Sequence, residues 1–172
     1  MKKFFSGAAL IFVCFLLQST VFAQFNIGGI VPNLLIIVTA SLGFLCGKKT
    51  GIIVGFSCGI LMDLFLGSVY GMNGLLYMYV GYCNGLFKKI LYPKDIKLPL
   101  VLIAGSDIGY GVFFYFFRFL LRGKFDFPYY FTQIIIPETV YTTILACLIY
   151  PLIHSIKIRL DEKEKKGEQS SV

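Results

Sequence analysis

The sequence predicts an all-α fold, a polytopic membrane bundle of about six transmembrane helices. Hydrophobic residues make up 57% of the 172 residues, and the mean hydropathy is +0.78. A typical soluble domain has only about 45–50% apolar residues. A bilayer core of roughly 30 Å takes about 20 helical residues per crossing, so about six crossings occupy most of the chain and leave no room for a sizeable soluble domain.

Six apolar segments follow one another with short breaks, at residues 4–25, 32–47, 51–66, 75–91, 98–121 and 131–156. The first follows two lysines, as in a signal peptide, but it is too long for one, so we interpret it as an uncleaved helix. The second is short for a crossing and either thins the bilayer locally or packs inside the protein. Pro137 or Pro151 could kink the sixth. We expect a single transmembrane domain at residues 1–160 and a charged, disordered cytoplasmic tail at residues 161–172.

The basic residues predict the orientation of the bundle. Six crossings place both chain ends on the same side, and with the N-terminus inside, thirteen of the 16 Lys and Arg residues lie in cytoplasmic segments. This asymmetry predicts N-in, C-in. A re-entrant pair formed by the second and third segments would lower the count and still leave both ends inside. The basic residues stand in short groups and form no single face, so despite a net charge of +7 we expect contact with membrane lipid and no nucleic-acid partner.

Motifs for catalysis, metals and cofactors are missing from the sequence. There is no G-x-x-x-x-G-K-[ST] phosphate loop, no H-E-x-x-H and no G-x-S-x-G. The five cysteines lie inside apolar runs without a C-x-x-C pair, and His154 is the single histidine. We interpret the cysteines as small packing residues. The sequence therefore predicts neither a metal nor a cofactor, and it does not indicate an enzyme.

Glycines recur at four-residue spacing in three of the predicted helices. In lipid, helices gain little from apolar burial against each other, so small residues that let backbones approach are the main route to tight packing. The pattern indicates packing inside the bundle or, alternatively, a homodimer interface. The glycines concerned are Gly51, Gly55, Gly59, Gly81, Gly85, Gly105 and Gly109.

Four ionisable residues lie within the predicted helices or near their ends: Asp63, Asp107, Arg118 and Glu138. A charge at the bilayer centre costs at least ~2.5 kcal/mol, so each needs a partner, water, protonation or a function. With a rise of about 1.5 Å per residue, Asp63, Arg118 and Glu138 fall in the outer half of the membrane. We expect these three to share a polar pocket. The neutral side chains expected to join it are Asn73, Tyr77 and Gln133.

Simpler interpretations of the same residues stay open. Asp107 lies nearer the middle of the membrane, where we expect it to be alone or protonated. Arg118 could extend to the outer headgroups together with its basic neighbours. Asp63 could cap the turn at Gly67.

Three motifs resemble the rod shape-determining protein MreD family. The first runs from Gly51 to Tyr77 and reads G-x3-G-x3-G-I-L-M-D-x3-G-x3-G-x-N-x-L-x-Y. The second is the pair Pro32-Asn33 at the start of the second helix, and the third is I-P-E-T-V-Y at residues 136–141. Chain length, the six-span plan and the charged tail also agree, so the resemblance covers essentially the whole chain.

The resemblance implies a non-enzymatic subunit of the bacterial cell-elongation machinery in the plasma membrane. Its partner would be the extracytoplasmic protein MreC. With the actin-like MreB, RodA and the penicillin-binding synthases, it would help to position peptidoglycan synthesis. The implied fold is similar to the substrate-binding S components of vitamin transporters.

Two other functions stay open at this point. An S component of a small-molecule transporter would need an enclosed polar cavity near Asp63, Asp107 and Glu138. A scaffold could instead use the aromatic and basic loop at residues 122–130 as a contact surface. A flippase-like role for a lipid-linked precursor is the third possibility.

Overall fold

In a computed structural model, the chain forms six helices that account for nearly all of the described residues, namely 2–24, 29–65, 71–88, 97–119 and 127–169. Each of the six apolar segments corresponds to one helix. The helices are α1 (Lys2–Leu16, continued by a π-helical turn at Leu17–Val21 and by Phe22–Gln24), α2 (Leu34–Cys46), α3 (Lys48–Phe65), α4 (Met72–Phe87), α5 (Lys97–Phe119) and α6 (Ile136–Gln169, preceded by Phe127–Tyr130 and a π-helical turn at Phe131–Ile135).

The charged tail differs from the expectation. Residues 161–169 continue α6, although they were expected to lack regular structure. Glu and Lys are good helix formers. Extending a helix that already exists also avoids the cost of nucleation. These two effects explain why α6 continues through residues 161–169 although they show no apolar periodicity. Pro151 lies inside α6, and Pro137 lies in its first turn, where a missing N–H costs little.

The helix α2 forms the centre of the bundle. Its 13 residues span about 20 Å, less than the bilayer core. From Leu34 to Ala40 every side chain is buried, so the helix is surrounded on all sides. Of the two alternatives for this short segment, the structure has the one in which it packs inside the protein. The ammonium groups of Lys88 and Lys157 donate to the carbonyls of Cys46 and Leu45, 2.9 and 3.0 Å away, and so satisfy the last turn.

The helices α3 and α4 pack with their backbones in contact. A Cβ atom added to Gly55 would overlap the backbone of Tyr77, and one added to Gly59 would overlap the backbone of Gly74. Only glycine permits this approach, which is the small-residue packing used by membrane helices. Two further close approaches belong to the same seam, Gly51 with Gly81 and Gly85 with Lys48.

Gly105 and Gly109 on α5 do not pack in this way. An added Cβ at either position would meet nothing within 4 Å. The expectation of close packing inside the bundle is therefore wrong for these two residues within the chain. Their four-residue spacing is the same as in α3, but no helix among the described residues packs within 4 Å of an added Cβ at either position.

Among the residues that the structure describes, two helices are long and apolar enough to cross a membrane by length and composition, at Lys97–Phe117 and Phe127–Arg159. Two further apolar helices, Gly7–Val21 and Leu34–Cys46, are shorter. Large apolar side chains cover the outer faces of α5 and α6, as Val101 and Leu148 illustrate with 70% and 68% exposure. Exposed apolar surface of this kind marks a site of interaction or contact with lipid.

Candidate functional site

The Asp63 carboxylate caps the start of α4. Asp63 lies in the last turn of α3 and is only 4% exposed. Its Oδ2 accepts hydrogen bonds from the N–H groups of Gly71 and Gly74, at 3.0 and 2.9 Å, and its Oδ1 accepts from the N–H of Asn73 at 3.2 Å. The first N–H groups of a helix have no partner within the helix, and they carry partial positive charge. They therefore stabilise the buried carboxylate.

Gly71 supplies the backbone conformation that this arrangement needs. Its φ is +89°, in the left-handed region that favours glycine. At this φ the N–H of Gly71 can point back to Asp63 while the chain enters α4. A side chain at this position would strain the cap even though it would meet no neighbour within 4 Å.

Asn73 and Tyr77 extend the polar contacts from the cap into the bundle. The Tyr110 hydroxyl donates to Asn73 Oδ1 at 2.8 Å, and the Tyr77 hydroxyl donates to Asn33 Oδ1 at 2.6 Å. The rings of Tyr77 and Tyr110 pack edge to face, with centroids 5.2 Å apart. Both tyrosines are buried. They connect α4 to α5 and to the start of α2.

Asn33 and Gln18 complete the contacts on the other helices. Asn33 Oδ1 also accepts from the N–H of Ile36, which makes Asn33 the N-cap of α2, and the Asn33 N–H donates to Thr142 Oγ1 on α6 at 3.1 Å. Gln18, in the π-helical turn after α1, accepts from the N–H of Leu35 at 3.2 Å. We call this set the polar network. Its members are Gln18, Asn33, Asp63, Asn73, Tyr77, Tyr110 and Thr142, and together they reach all six helices.

The predicted pocket of Asp63, Arg118 and Glu138 takes a different form in the structure. Asp63, Asn73 and Tyr77 do come together, but Asp63 is held by backbone N–H groups. The capping interpretation of Asp63 is closer to the structure, with donors from the start of α4; Gly67 itself lies outside the described residues, as does the side chain of Arg118. Of the predicted contact loop, residues 120–126 also lie outside.

Asp107 is buried in α5 without a hydrogen bond to either carboxylate oxygen. It is 3% exposed and faces the hydroxyls of Thr139 and Thr142 on α6. The Thr139 hydroxyl has no hydrogen-bond partner either. Asp107 is thus separate from the cap at Asp63, and the polar groups that face its carboxyl are the Thr139 and Thr142 hydroxyls.

Glu138 lies in the first turn of α6 beside two cavities. The inner cavity, of about 260 Å³, also contacts Gln18, Asn33, Tyr110, Phe114 and Tyr130. The second cavity, of about 380 Å³, is lined by Gly29, Tyr129, Gln133 and neighbouring residues. The side chains of Tyr129 and Gln133 are exposed. Gln133 is exposed and does not join the polar network. Glu138 therefore connects the end of the bundle with the interior near Tyr110.

An apolar groove of about 740 Å³ lies between α4 and α5. Gly105, Ser106 and Gly109 line it on α5, and the exposed rings of Tyr79 and Phe113 flank it. Its one buried amide is that of Asn84, which donates to the Ser106 hydroxyl at 2.6 Å and whose Oδ1 has no hydrogen-bond partner. The groove is thus the open surface onto which the two unpacked glycines face.

Within the part of the chain that the structure describes, no group of three or more His, Cys, Asp or Glu side chains could hold a metal ion. The chemical features of the site are therefore hydrogen bonding, the carboxyl groups of Asp107 and Glu138, and apolar contact surface.

Comparison with known families assigns the chain. The family described as rod shape-determining protein MreD matches residues 1–156. The chain belongs to the MreD family. Comparisons with curated proteins and with solved structures gave no significant match. MreD membership implies a role in rod shape determination, as a structural component in a bacterial membrane.

The MreD-like motif of α3 and α4 now has a physical explanation. Its first three glycines bring the two helices into backbone contact. Its other described positions build the cap and the network. Asp63 accepts the hydrogen bonds of the cap, and Gly71 turns the chain into α4. Asn73 accepts from Tyr110, and Tyr77 donates to Asn33. The motif thus specifies one helical hairpin and its polar contacts.

Four members of the polar network were not predicted as site residues. Gln18 interrupts an apolar run and Asn33 directly precedes a helix, so both gave a signal that could have been used. Tyr110 and Thr142 gave none, because Tyr and Thr are ordinary residues in apolar helices. Their role depends on which helices are neighbours, and this was not predictable from spacing.

Proposed function

We propose that the chain is a non-enzymatic, multi-pass protein of the bacterial plasma membrane that scaffolds an MreC-like partner and, through it, MreB, RodA and penicillin-binding wall synthases. Membership of the MreD family supports the rod-shape role on which this proposal builds. The observation that carries it is the open groove between α4 and α5. No observation favours a transporter S component or a flippase, and neither is proposed.

The groove suits a transmembrane helix of the partner. Along α5 it extends from Val101 to Phe117, a rise of about 24 Å, which is most of the bilayer core. Gly105 and Gly109 would let a second backbone approach as closely as α4 approaches α3. Asn84 Oδ1 is free to accept one hydrogen bond. We infer that the apolar membrane anchor of the MreC-like protein occupies this groove.

The experiment fills the groove and measures association. In the variant Gly105→Leu/Gly109→Leu, two side chains enter the space in which the partner's helix would lie. Co-purification of the MreC-like protein from native membranes should fall at least about tenfold, because close packing is the main attraction between membrane helices. The matched control is Gly7→Leu on α1, where an added Cβ also meets nothing within 4 Å. Undiminished co-purification by the groove variant would contradict the proposal.

We further propose that all six helices cross the membrane, N-in and C-in. The charge asymmetry supports this orientation. Lys88 and Lys157, which donate to the last turn of α2, also lie at the end of the bundle assigned to the cytoplasm. The helix α2 would cross packed inside the protein, and the other shorter helices would require a locally thinner bilayer. A fluorescent protein fused after Val172 should be fluorescent and alkaline phosphatase fused after Tyr129 should be active. The reverse pattern of signals would contradict the topology.

A further inference from the structure

We propose that the inner cavity beside Glu138 binds an organic cation, that is, a primary ammonium or guanidinium group. The proposal goes beyond the scaffold role, because it assigns a ligand-binding site. It depends on the composition of the cavity wall and on two carboxyl groups that form no ion pair with the side chains that the structure describes.

The cavity wall combines aromatic rings with a carboxylate. Tyr110, Phe114 and Tyr130 line it, and the rings of Tyr110 and Phe114 lie 5.6 Å apart. Glu138 is the carboxylate of the same wall. The faces of aromatic rings attract cations, and a desolvated carboxylate strengthens that attraction. Aromatic rings around a single carboxylate are typical of sites for ammonium groups.

The other polar groups of the wall are already engaged. The side-chain oxygen of Gln18 accepts from Leu35, and that of Asn33 accepts from Tyr77 and Ile36. Neither amide oxygen needs a ligand. The acceptor with unused capacity in this wall is Glu138, which makes no hydrogen bond or ion pair with the residues that the structure describes.

A second carboxyl group near Glu138, that of Asp107, adds negative charge that a bound cation would balance. Asp107 lies near enough to Glu138 for their charges to repel, and both of its oxygens lack hydrogen-bond partners. The ammonium groups of Lys88 and Lys157 are engaged at the end of α2, away from this site. Buried charges in membrane proteins are paired, and no described basic side chain pairs with these two carboxyl groups, so an incoming cation would be a suitable partner.

The cavity has a suitable size and a route of entry. Its volume of about 260 Å³ fits an alkylammonium or alkylguanidinium chain. The second cavity also touches Glu138 and extends to Tyr129 and Gln133, whose side chains are exposed. A cation can therefore reach Glu138 from the end of the bundle. The amine of a lipid headgroup and a Lys or Arg side chain of another protein share this chemistry.

The test uses the full chain in deuterated dodecyl maltoside with n-butylammonium as the probe and n-butanol as its neutral counterpart. Saturation-transfer NMR should detect n-butylammonium and give no comparable signal for n-butanol. Glu138→Gln keeps the shape of the side chain and should weaken probe binding about tenfold, since it removes a charge-assisted contact. Phe114→Leu should weaken it about threefold through the lost ring face. Glu162→Gln, an exposed acid on the last turns of α6, is the matched control and should bind as the wild type does.

Helical circular dichroism and the unfolding temperature establish that each variant is folded, and Phe114→Leu keeps the test valid if Glu138→Gln does not fold. Equal signals for the two probes, no signal for either, or unchanged binding by both cavity variants would overturn the proposal.

Competition then identifies the source of the cation. In phosphatidylglycerol nanodiscs, displacement of the probe by added phosphatidylethanolamine would assign the site to a lipid headgroup. Displacement by a short lysine-containing peptide alone would assign it to a protein side chain. If neither displaced the probe, the proposal of a biological ammonium ligand would be overturned.

Discussion

The Asp63 carboxylate lies 2.9 Å from the backbone nitrogen of Gly74 and accepts its hydrogen bond. This contact joins the last turn of α3 to the first turn of α4 without any basic side chain. It explains how the protein keeps an acidic residue buried where lipid would make a charge costly. The cap also fixes the position of Asn73, from which the contacts with α5 begin.

The variant Asp63→Ala should be strongly destabilised. It leaves two buried N–H groups and one partly buried N–H group without acceptors, at a cost of at least about 2 kcal/mol. Thermal unfolding in detergent, followed by circular dichroism, measures the effect, and Glu162→Ala on the exposed end of α6 is the control. Exchanging the charges in Asp63→Arg/Arg118→Asp should not restore stability, because the donors to Asp63 are backbone groups. Full recovery in the exchange variant would show that an ion pair matters more than the cap.

The glycine seam gives a prediction with an internal control. Gly55→Ala should destabilise the protein by about 1–3 kcal/mol, because a Cβ would overlap the backbone of Tyr77. Gly105→Ala should leave stability unchanged or raise it by up to about 1 kcal/mol, because its Cβ meets no neighbour and alanine favours a helix. The measurement is the unfolding temperature of each purified variant, compared with that of the wild type. Equal destabilisation would mean that α5 also packs through its glycines.

Removing the Tyr110 hydroxyl should have a moderate effect. Tyr110→Phe keeps the ring contact with Tyr77 and removes the donor to Asn73, at a cost of about 0.6–1.5 kcal/mol. A double-mutant cycle with Asn73→Ala should give a coupling energy of similar size. Tyr79→Phe is the control, since that side chain is 59% exposed. Additive effects of the two changes would argue against the hydrogen bond.

Asp107 should behave in the opposite way to Asp63. Asp107→Asn removes a buried carboxyl that has no hydrogen-bond partner and that repels Glu138. The unfolding temperature should therefore stay the same or rise, because the repulsion is removed while an amide can still contact the Thr139 and Thr142 hydroxyls. The isosteric variant Asp63→Asn is the comparison and should unfold at a lower temperature than the wild type. A large loss of stability in Asp107→Asn would reveal a partner for this carboxyl.

Helix positions followed from the sequence because they depend on local composition. Apolar runs long enough to be helices, and breaks at glycine, proline and lysine, placed the first five elements to within a few residues and the sixth except for its extension to Gln169. The glycines of α3 marked a close helix pair for the same reason, since small residues at four-residue spacing have one obvious use in lipid. The glycines of α5 carry the same pattern and lie open, so spacing alone does not identify which neighbour is present.

The candidate site was less accessible to prediction because it depends on distances between helices. Depth along the helix axis grouped Asp63 with Arg118 and Glu138, and Asn73 and Tyr77 were expected to join them as neutral hydrogen-bonding groups. It suggested a polar pocket of side chains where the structure has a backbone cap, because N–H groups at a helix start are not visible as charges in a sequence. The burial of Asp107 and the cavity at Glu138 depend on how α5 meets α6. No residue pattern in either helix specifies that contact.

The cap at Asp63 also bears on how the chain enters the membrane during synthesis. The acid and its three donors are at most eleven residues apart, whereas Tyr110 is made much later. The charge can thus acquire its partners as soon as the first turn of α4 has been translated. An isolated α3 would expose a carboxylate to the insertion machinery and to lipid. The hairpin conceals it, so α3 and α4 are expected to leave the translocation channel as one unit.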